Sequence, residues 1–274
     1  MNILQAVVLG VVEGVTEFLP VSSTGHLLVA ERLLRLPMHT QAQKDSIIGF
    51  TAVVQVGAIL AAVLYFFKDI LGLIGAFVGG VTSAEKRRGP EWRFALAVLV
   101  GALPIAVVGL TLQSVIKRID SQLISVAIGL IVFSAVFVYA ERRAKQDRTE
   151  RSATVKDGLL IGLAQCIALV PGVSRSGATI SAGLLRGLDR VSATRLSFLL
   201  GIPALLGAGV LELKSATSSD TGALPTAVAT AVAFVVAYAT IAFLLKFVTT
   251  HSIVAFVPYR LALGGGILIA LAVT

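Results

Sequence analysis

The chain contains one cysteine, Cys166, two methionines and one tryptophan, and charged residues fill only 14% of its 274 positions. A lone cysteine excludes an internal disulfide and a thiolate metal cluster, and leaves Cys166 as a small packing residue. So little charge, against roughly 25% in soluble domains, excludes a water-soluble globular protein, and 56% hydrophobic residues with a mean hydropathy of +0.92 point the same way. The 26 glycines and 8 prolines are scattered among apolar runs, which excludes a disordered or collagen-like chain. The first ten residues carry neither a positive n-region nor a small-residue cleavage site, so they are not read as a removable signal peptide. A net charge of +8 does not imply nucleic acid here, because the basic residues gather where a membrane protein keeps them, on one side of the bilayer.

What is present is a set of long apolar runs. A bilayer core takes about 20 apolar residues of helix, and segments near 49–67, 94–112, 123–140, 192–212, 223–246 and 254–273 approach that length, the last containing Arg260. They are apolar on every face, so helices rather than the alternating strands of a barrel are expected. Two further stretches, 2–35 and 158–186, are broken midway. Glu13, Glu17 and the run Pro20–His26 interrupt the first, and Pro171–Ser176 the second. Each half is too short to cross, and irregular backbone at membrane depth is tolerated only where protein encloses it. Both are therefore expected to be re-entrant helical hairpins.

These hairpins resemble each other at an offset of 152 residues: Gly10–Val21 followed by Ser22-Ser23-Thr24-Gly25 matches Gly162–Val173 followed by Ser174-Arg175-Ser176-Gly177. The chain thus reads as an all-α polytopic membrane protein built by tandem duplication. The first repeat spans 1–141, a basic linker 142–157 and the second repeat 158–274. Each repeat has one re-entrant hairpin and three transmembrane helices, and an odd number of crossings makes the topology inverted. On that plan one side carries 15 of the 23 Lys and Arg and the other side six, among them Lys117, Arg118 and Lys214. The richer side is expected in the cytoplasm, which leaves the first hairpin opening outward.

Ionisable groups at membrane depth mark a functional site. Glu13 and Glu17, at i and i+4, share one helical face, and two such carboxylates call for a divalent cation or a shared proton. The second hairpin has Gln165 and Leu169 at those positions and Ala178 where the first has His26, but gains Arg175 opposite Ser23. A loop running into a helix start, with a guanidinium and the hydroxyls of Ser174, Ser176 and Thr179, suits a phosphate group. Capping of the helix by Ser174 or Ser176, with Arg175 neutralising a glutamate, is the structural alternative. Together the two hairpins suit phosphoryl transfer, with Ser23 or Ser22 attacking, or His26 acting directly or as base. Gln55, in an uncharged span, is a candidate to hydrogen-bond the site, and His39 and His251 fall in predicted loops.

The segments Glu13-Gly14-Val15-Thr16-Glu17-Phe18-Leu19-Pro20-Val21-Ser22-Ser23-Thr24-Gly25-His26 and Pro171-Gly172-Val173-Ser174-Arg175-Ser176-Gly177-Ala178-Thr179 resemble the two signature motifs of the undecaprenyl-diphosphate phosphatase family associated with bacitracin resistance. The likeness extends over essentially the whole chain and includes Val54-Gln55-Val56-Gly57. It implies a hydrolase of the bacterial cytoplasmic membrane that converts undecaprenyl diphosphate into undecaprenyl phosphate and inorganic phosphate, recycling the carrier for peptidoglycan synthesis. It further implies Glu13 and Glu17 as ligands of a divalent cation, Mg²⁺ or Ca²⁺, and Glu17 in acid/base steps. Ser23 and His26 become nucleophile and base candidates, Arg175 with Ser174, Ser176, Thr179, Ser22, Thr24 and Gln55 would hold the diphosphate, and a homodimer is implied. The competing reading is a transporter or lipid flippase, since inverted repeats with broken helices are also a transporter plan.

Overall fold

The computed structural model describes residues 1–37, 40–112, 122–216 and 221–273, with side chains left out at 208 and 210–216. His39, Lys117 and Arg118 fall outside the described residues, as does the Lys214 side chain. Eleven α-helices lie among the described residues: α1 Ile3–Thr16, α2 Ser23–Leu33, α3 Gln41–Tyr65, α4 Phe67–Thr82, α5 Pro90–Thr111, α6 Leu123–Arg143, α7 Val155–Ile167, α8 Arg175–Leu185, α9 Arg190–Ala216, α10 Ala223–Phe247 and α11 Val257–Val273. Five segments, Gln41–Tyr65, Pro90–Thr111, Leu123–Arg143, Ala223–Phe247 and Ile253–Val273, are long and apolar enough to cross a membrane. The protein is therefore an all-helical, multi-pass membrane protein. The sixth expected span falls in α9, whose outer side chains are among those left out.

One element departs from expectation. The stretch 68–93, which lies between the first two expected spans and so is expected to connect them as a loop, holds all but the first residue of α4, a 16-residue helix. Its apolar run is shorter than a span, so hydropathy alone does not separate it from a loop. Tertiary contacts complete it: Arg87 donates to the Gly80 and Val81 carbonyls at 2.9 and 3.1 Å, satisfying the helix C-terminus. Trp92 of α5 lies across Gly80 and stacks on Phe77 with centroids 5.4 Å apart.

The two broken segments each form a pair of short helices. α1 packs on α10, where Gly10 and Gly14 lie against the backbone of Ala229 and Ala233, and α7 packs on α5, where Gly158 and Gly162 lie against the Ala97 and Gly101 carbonyls. Small residues allow this backbone approach, and any Cβ there would collide. The breaks end on serines at equivalent positions: Ser22 has φ 76° and ψ 101°, and Ser174 φ 74° and ψ 121°. Positive φ at a non-glycine residue is strained and persists only where the surroundings impose it.

Arg260 of α11 is that imposing group. Fully buried, its guanidinium donates to the Pro20 carbonyl of the first break at 3.0 Å and to the Gly172 and Val173 carbonyls of the second at 2.9 and 3.3 Å. It also reaches Ser134 Oγ at 3.2 Å and the Gly129 carbonyl at 3.4 Å on α6, and lies 4.7 Å from the Phe137 ring centroid. On the basic side of the chain, Asp157 binds Arg148 and Arg186, each at 2.7 Å, and Arg195 bridges Asp69 and Glu150 at 2.6 and 2.8 Å.

Removing the Arg260 fork strands loop carbonyls where no water reaches them. Arg260→Met is expected to cost about 3–5 kcal/mol and to lower the thermal midpoint in detergent by roughly 10 °C, with Arg260→Lys falling between because an ammonium cannot serve both loops. An unchanged midpoint for both variants would show that the loops hold themselves.

Candidate active site

The two breaks meet around Glu17. This residue ends α1, and its carboxylate accepts from Ser23 Oγ at 2.8 Å through Oε2 and from Arg175 Nη2 at 3.3 Å through Oε1. Ser23 and Arg175 are the first helical residues after the two strained serines, so the same backbone turn delivers the hydroxyl from one side and the guanidinium from the other. The ion pair is withdrawn from solvent, with side-chain exposures of 11% for Arg175 and 5% for Glu17. Glu13 is buried one turn before Glu17.

Arg175 uses only part of its capacity. Its Nε and Nη1 have no acceptor among the described residues. Space for the group comes from α9, where the guanidinium lies against Gly201 so closely that a Cβ there would overlap Nη1. A planar cation with unused donors can neutralise an incoming anion, and the carboxylate that already accepts from the neighbouring hydroxyl can take its proton, at one place.

The remaining predicted residues divide. Ser174 caps α8 by accepting from the Gly177 N–H at 3.2 Å, and Ser176, 3.1 Å from Ser174 Oγ, donates to the Leu19 carbonyl at 3.1 Å, tying the second hairpin to the first. Thr179 donates to the Arg175 carbonyl at 2.8 Å within its own helix and contacts Ser197 Oγ. Ser22 is buried and its hydroxyl does not cap α2, while Thr24 and Gln55 are half-buried and share no hydrogen bond with these groups. His26 lies one turn into α2 and is not bonded to Ser23: its Nδ1 is 2.7 Å from the Ser22 carbonyl and its Nε2 2.6 Å from the hydroxyl of Tyr259. His251 is exposed, bonds Thr250 at 2.8 Å and stacks on Phe247, on a different part of the chain.

Tyr259, Arg260 and Gly201 are the site neighbours that sequence reasoning did not assign. An arginine inside an apolar span was the one available signal, and it marked Arg260 without showing its partners. As to a metal, no three His, Cys, Asp or Glu side chains converge on a common point among the described residues. Glu13 and Glu17 therefore form no resident cage. As two carboxylates on one face they fit the looser mode in which Mg²⁺ takes one or two protein oxygens and the rest from substrate phosphates.

Comparison with known proteins places nearly the whole chain in one family. A family model described as bacitracin resistance protein BacA matches residues 6–266. Among curated relatives, undecaprenyl-diphosphatase 1 of Streptomyces coelicolor is 52% identical over 265 residues, covering 96% of this chain and 94% of that protein. Undecaprenyl-diphosphatase 3 of Frankia casuarinae is 50% identical over 275 residues, covering 99% and 98%, and undecaprenyl-diphosphatase of Cutibacterium acnes is 45% identical over 274 residues, covering 96% and 95%.

The Gly201 contact gives a test that leaves every charged group in place. Gly201→Ala should push the Arg175 guanidinium off Glu17 and reduce turnover at least tenfold, as misplacement of a positioning group by about 1 Å does, while the detergent-solubilised protein keeps its helical circular dichroism. Wild-type turnover in this variant would show that the guanidinium does not need that seat.

Proposed function

The chain belongs to the bacitracin-resistance family, and from that membership together with the Ser23–Glu17–Arg175 contact we propose that it is an integral membrane phosphatase acting on undecaprenyl diphosphate. It releases inorganic phosphate and leaves undecaprenyl phosphate, the carrier lipid used again in peptidoglycan synthesis, and this recycling underlies bacitracin resistance. The observation that carries the reading is the pairing of a bonded serine hydroxyl with a guanidinium that keeps spare buried donors.

In the proposed reaction the terminal phosphate takes the free Nε and Nη1 of Arg175. Ser23 Oγ forms a bond to the terminal phosphorus as its proton passes to Glu17, and the bond from that phosphorus to the bridging oxygen breaks, so undecaprenyl phosphate leaves. Water then cleaves the phosphoserine, giving inorganic phosphate and restoring the hydroxyl. Catalysis of this kind depends on placing the groups and neutralising phosphate oxygens, which is what a preformed Arg–Glu–Ser contact supplies. A divalent cation would be held by Glu13 and Glu17 together with the diphosphate, and would supply further neutralisation of its charge.

The inverted-repeat plan is part of the same proposal. It is supported by the two strained serines 152 residues apart and by the exchange of partners, α1 on α10 and α7 on α5. With the Lys- and Arg-rich loops in the cytoplasm, the site opens to the outer side of the bacterial cytoplasmic membrane.

Phosphate release from undecaprenyl diphosphate by the purified full chain in detergent, with and without chelator, tests the reading. Wild-type protein should release phosphate, and Ser23→Ala, Glu17→Gln and Arg175→Ala should each lose at least a hundredfold in turnover while remaining folded, with chelator sensitivity supporting the cation. No release from folded wild type with Mg²⁺ or Ca²⁺, or undiminished release from Arg175→Ala, would overturn it.

A further inference from the structure

The imidazole of His26 is held from both ends, and the holding fixes its protonation pattern. Nδ1 lies 2.7 Å from the Ser22 carbonyl, and a carbonyl can only accept, so in the neutral ring Nδ1 carries the hydrogen. Nε2 is then the lone-pair nitrogen, and its contact at 2.6 Å is a bond donated by the Tyr259 hydroxyl. The two rings are nearly parallel, with an interplanar angle of 12° and centroids 5.5 Å apart, so the phenol restrains the orientation of the imidazole as well as its tautomer.

The backbone that carries each anchor is fixed. The Ser22 carbonyl belongs to the strained residue that starts α2, and Tyr259 precedes Arg260, whose guanidinium is locked onto the loop carbonyls. Tyr259 is also half-exposed, 50% by area, so the pair is not sealed inside the protein. Ser23 meanwhile bonds Glu17, which leaves His26 outside the nucleophile's own hydrogen bond.

We propose that Tyr259 is a positioning residue of the reaction, which acts through His26 by keeping its Nε2 an unprotonated acceptor of fixed orientation. This rests on the phosphatase reading above. An imidazole so held can take a proton at Nε2 from a water or a phosphate hydroxyl once the phenol side chain swings aside, and after that proton passes to the departing phosphate or to solvent the phenol restores the same tautomer.

The test has a spectroscopic arm and a kinetic arm, both on the full chain in detergent. With ¹⁵N-histidine label, the His26 resonances are those missing in His26→Gln. Near neutral pH the wild type should show a protonated Nδ1 and an unprotonated Nε2, and Tyr259→Phe, which keeps the ring and removes the donor, should show mixed tautomers. In phosphate release, Tyr259→Phe should lower kcat about tenfold with KM unchanged, the scale of one lost hydrogen bond. In the His26→Gln background the same change should have no further effect, because the tyrosine acts only through the histidine. A protonated Nε2 in the wild type, a Tyr259→Phe variant unchanged in both arms, or an equal loss in the His26→Gln background would each overturn the proposal. If His26→Gln proves inactive, the spectroscopic arm decides. If wild-type protein releases no phosphate, the functional reading fails, while the resonances still report whether Tyr259 holds His26.

Discussion

A single buried guanidinium holds the two halves of this molecule in register. Each hairpin break exposes backbone carbonyls at a depth where water is scarce, and an unsatisfied carbonyl there costs several kcal/mol. Arg260 answers both breaks at once, donating to Pro20 on one side and to Gly172 and Val173 on the other. Its planar fork is suited to this, since separate donors diverge toward separate loops. The distance between the hairpins, and so between Ser23 and Arg175, depends on the position of one side chain on a helix that contributes no reacting group.

The proposed duplication accounts for the matching breaks, and the differences between the two copies for the proposed site. Ser22 and Ser174 share an improbable backbone conformation, yet Ser174 caps its helix through the Gly177 N–H and the Ser22 hydroxyl caps nothing. The residues that follow them, Ser23 and Arg175, converge on one carboxylate. Had both copies kept the acids of the first hairpin, like charges would face each other at membrane depth, and had both acquired arginine, there would be no counter-charge. Gln165 and Leu169 in place of Glu13 and Glu17 remove that conflict and leave one cation facing one acid.

Much of this was legible in the sequence, because apolar runs, breaks and buried charges are what hydropathy registers. The helices α3, α5, α6, α10 and α11 lie where the runs lie, and Glu17, Ser23 and Arg175 were candidates simply by being polar inside them. What stayed hidden depends on contacts between distant segments. α4 is too short to register as a span and relies on Arg87 and Trp92 for its C-terminal end. Tyr259 is an ordinary aromatic residue until the fold brings it to His26 from 233 positions away. The serines of the second motif look alike in sequence, but packing assigns Ser174 to a helix cap and Ser176 to the Leu19 carbonyl, and leaves Arg175 with the unpartnered donors.

The Glu17–Arg175 pair also constrains what the site can accept. Burying two opposite charges is tolerable only while they neutralise each other, and separating them uncompensated costs about 3–5 kcal/mol. An uncharged lipid headgroup that displaced Arg175 from Glu17 would incur that cost with nothing in return. On the proposed reading a diphosphate fills the spare Nε and Nη1 donors, while Nη2 keeps Glu17 Oε1 and Oε2 still holds Ser23. The proposed site therefore favours an anionic headgroup, which can use the donors that Glu17 leaves spare without breaking the pair.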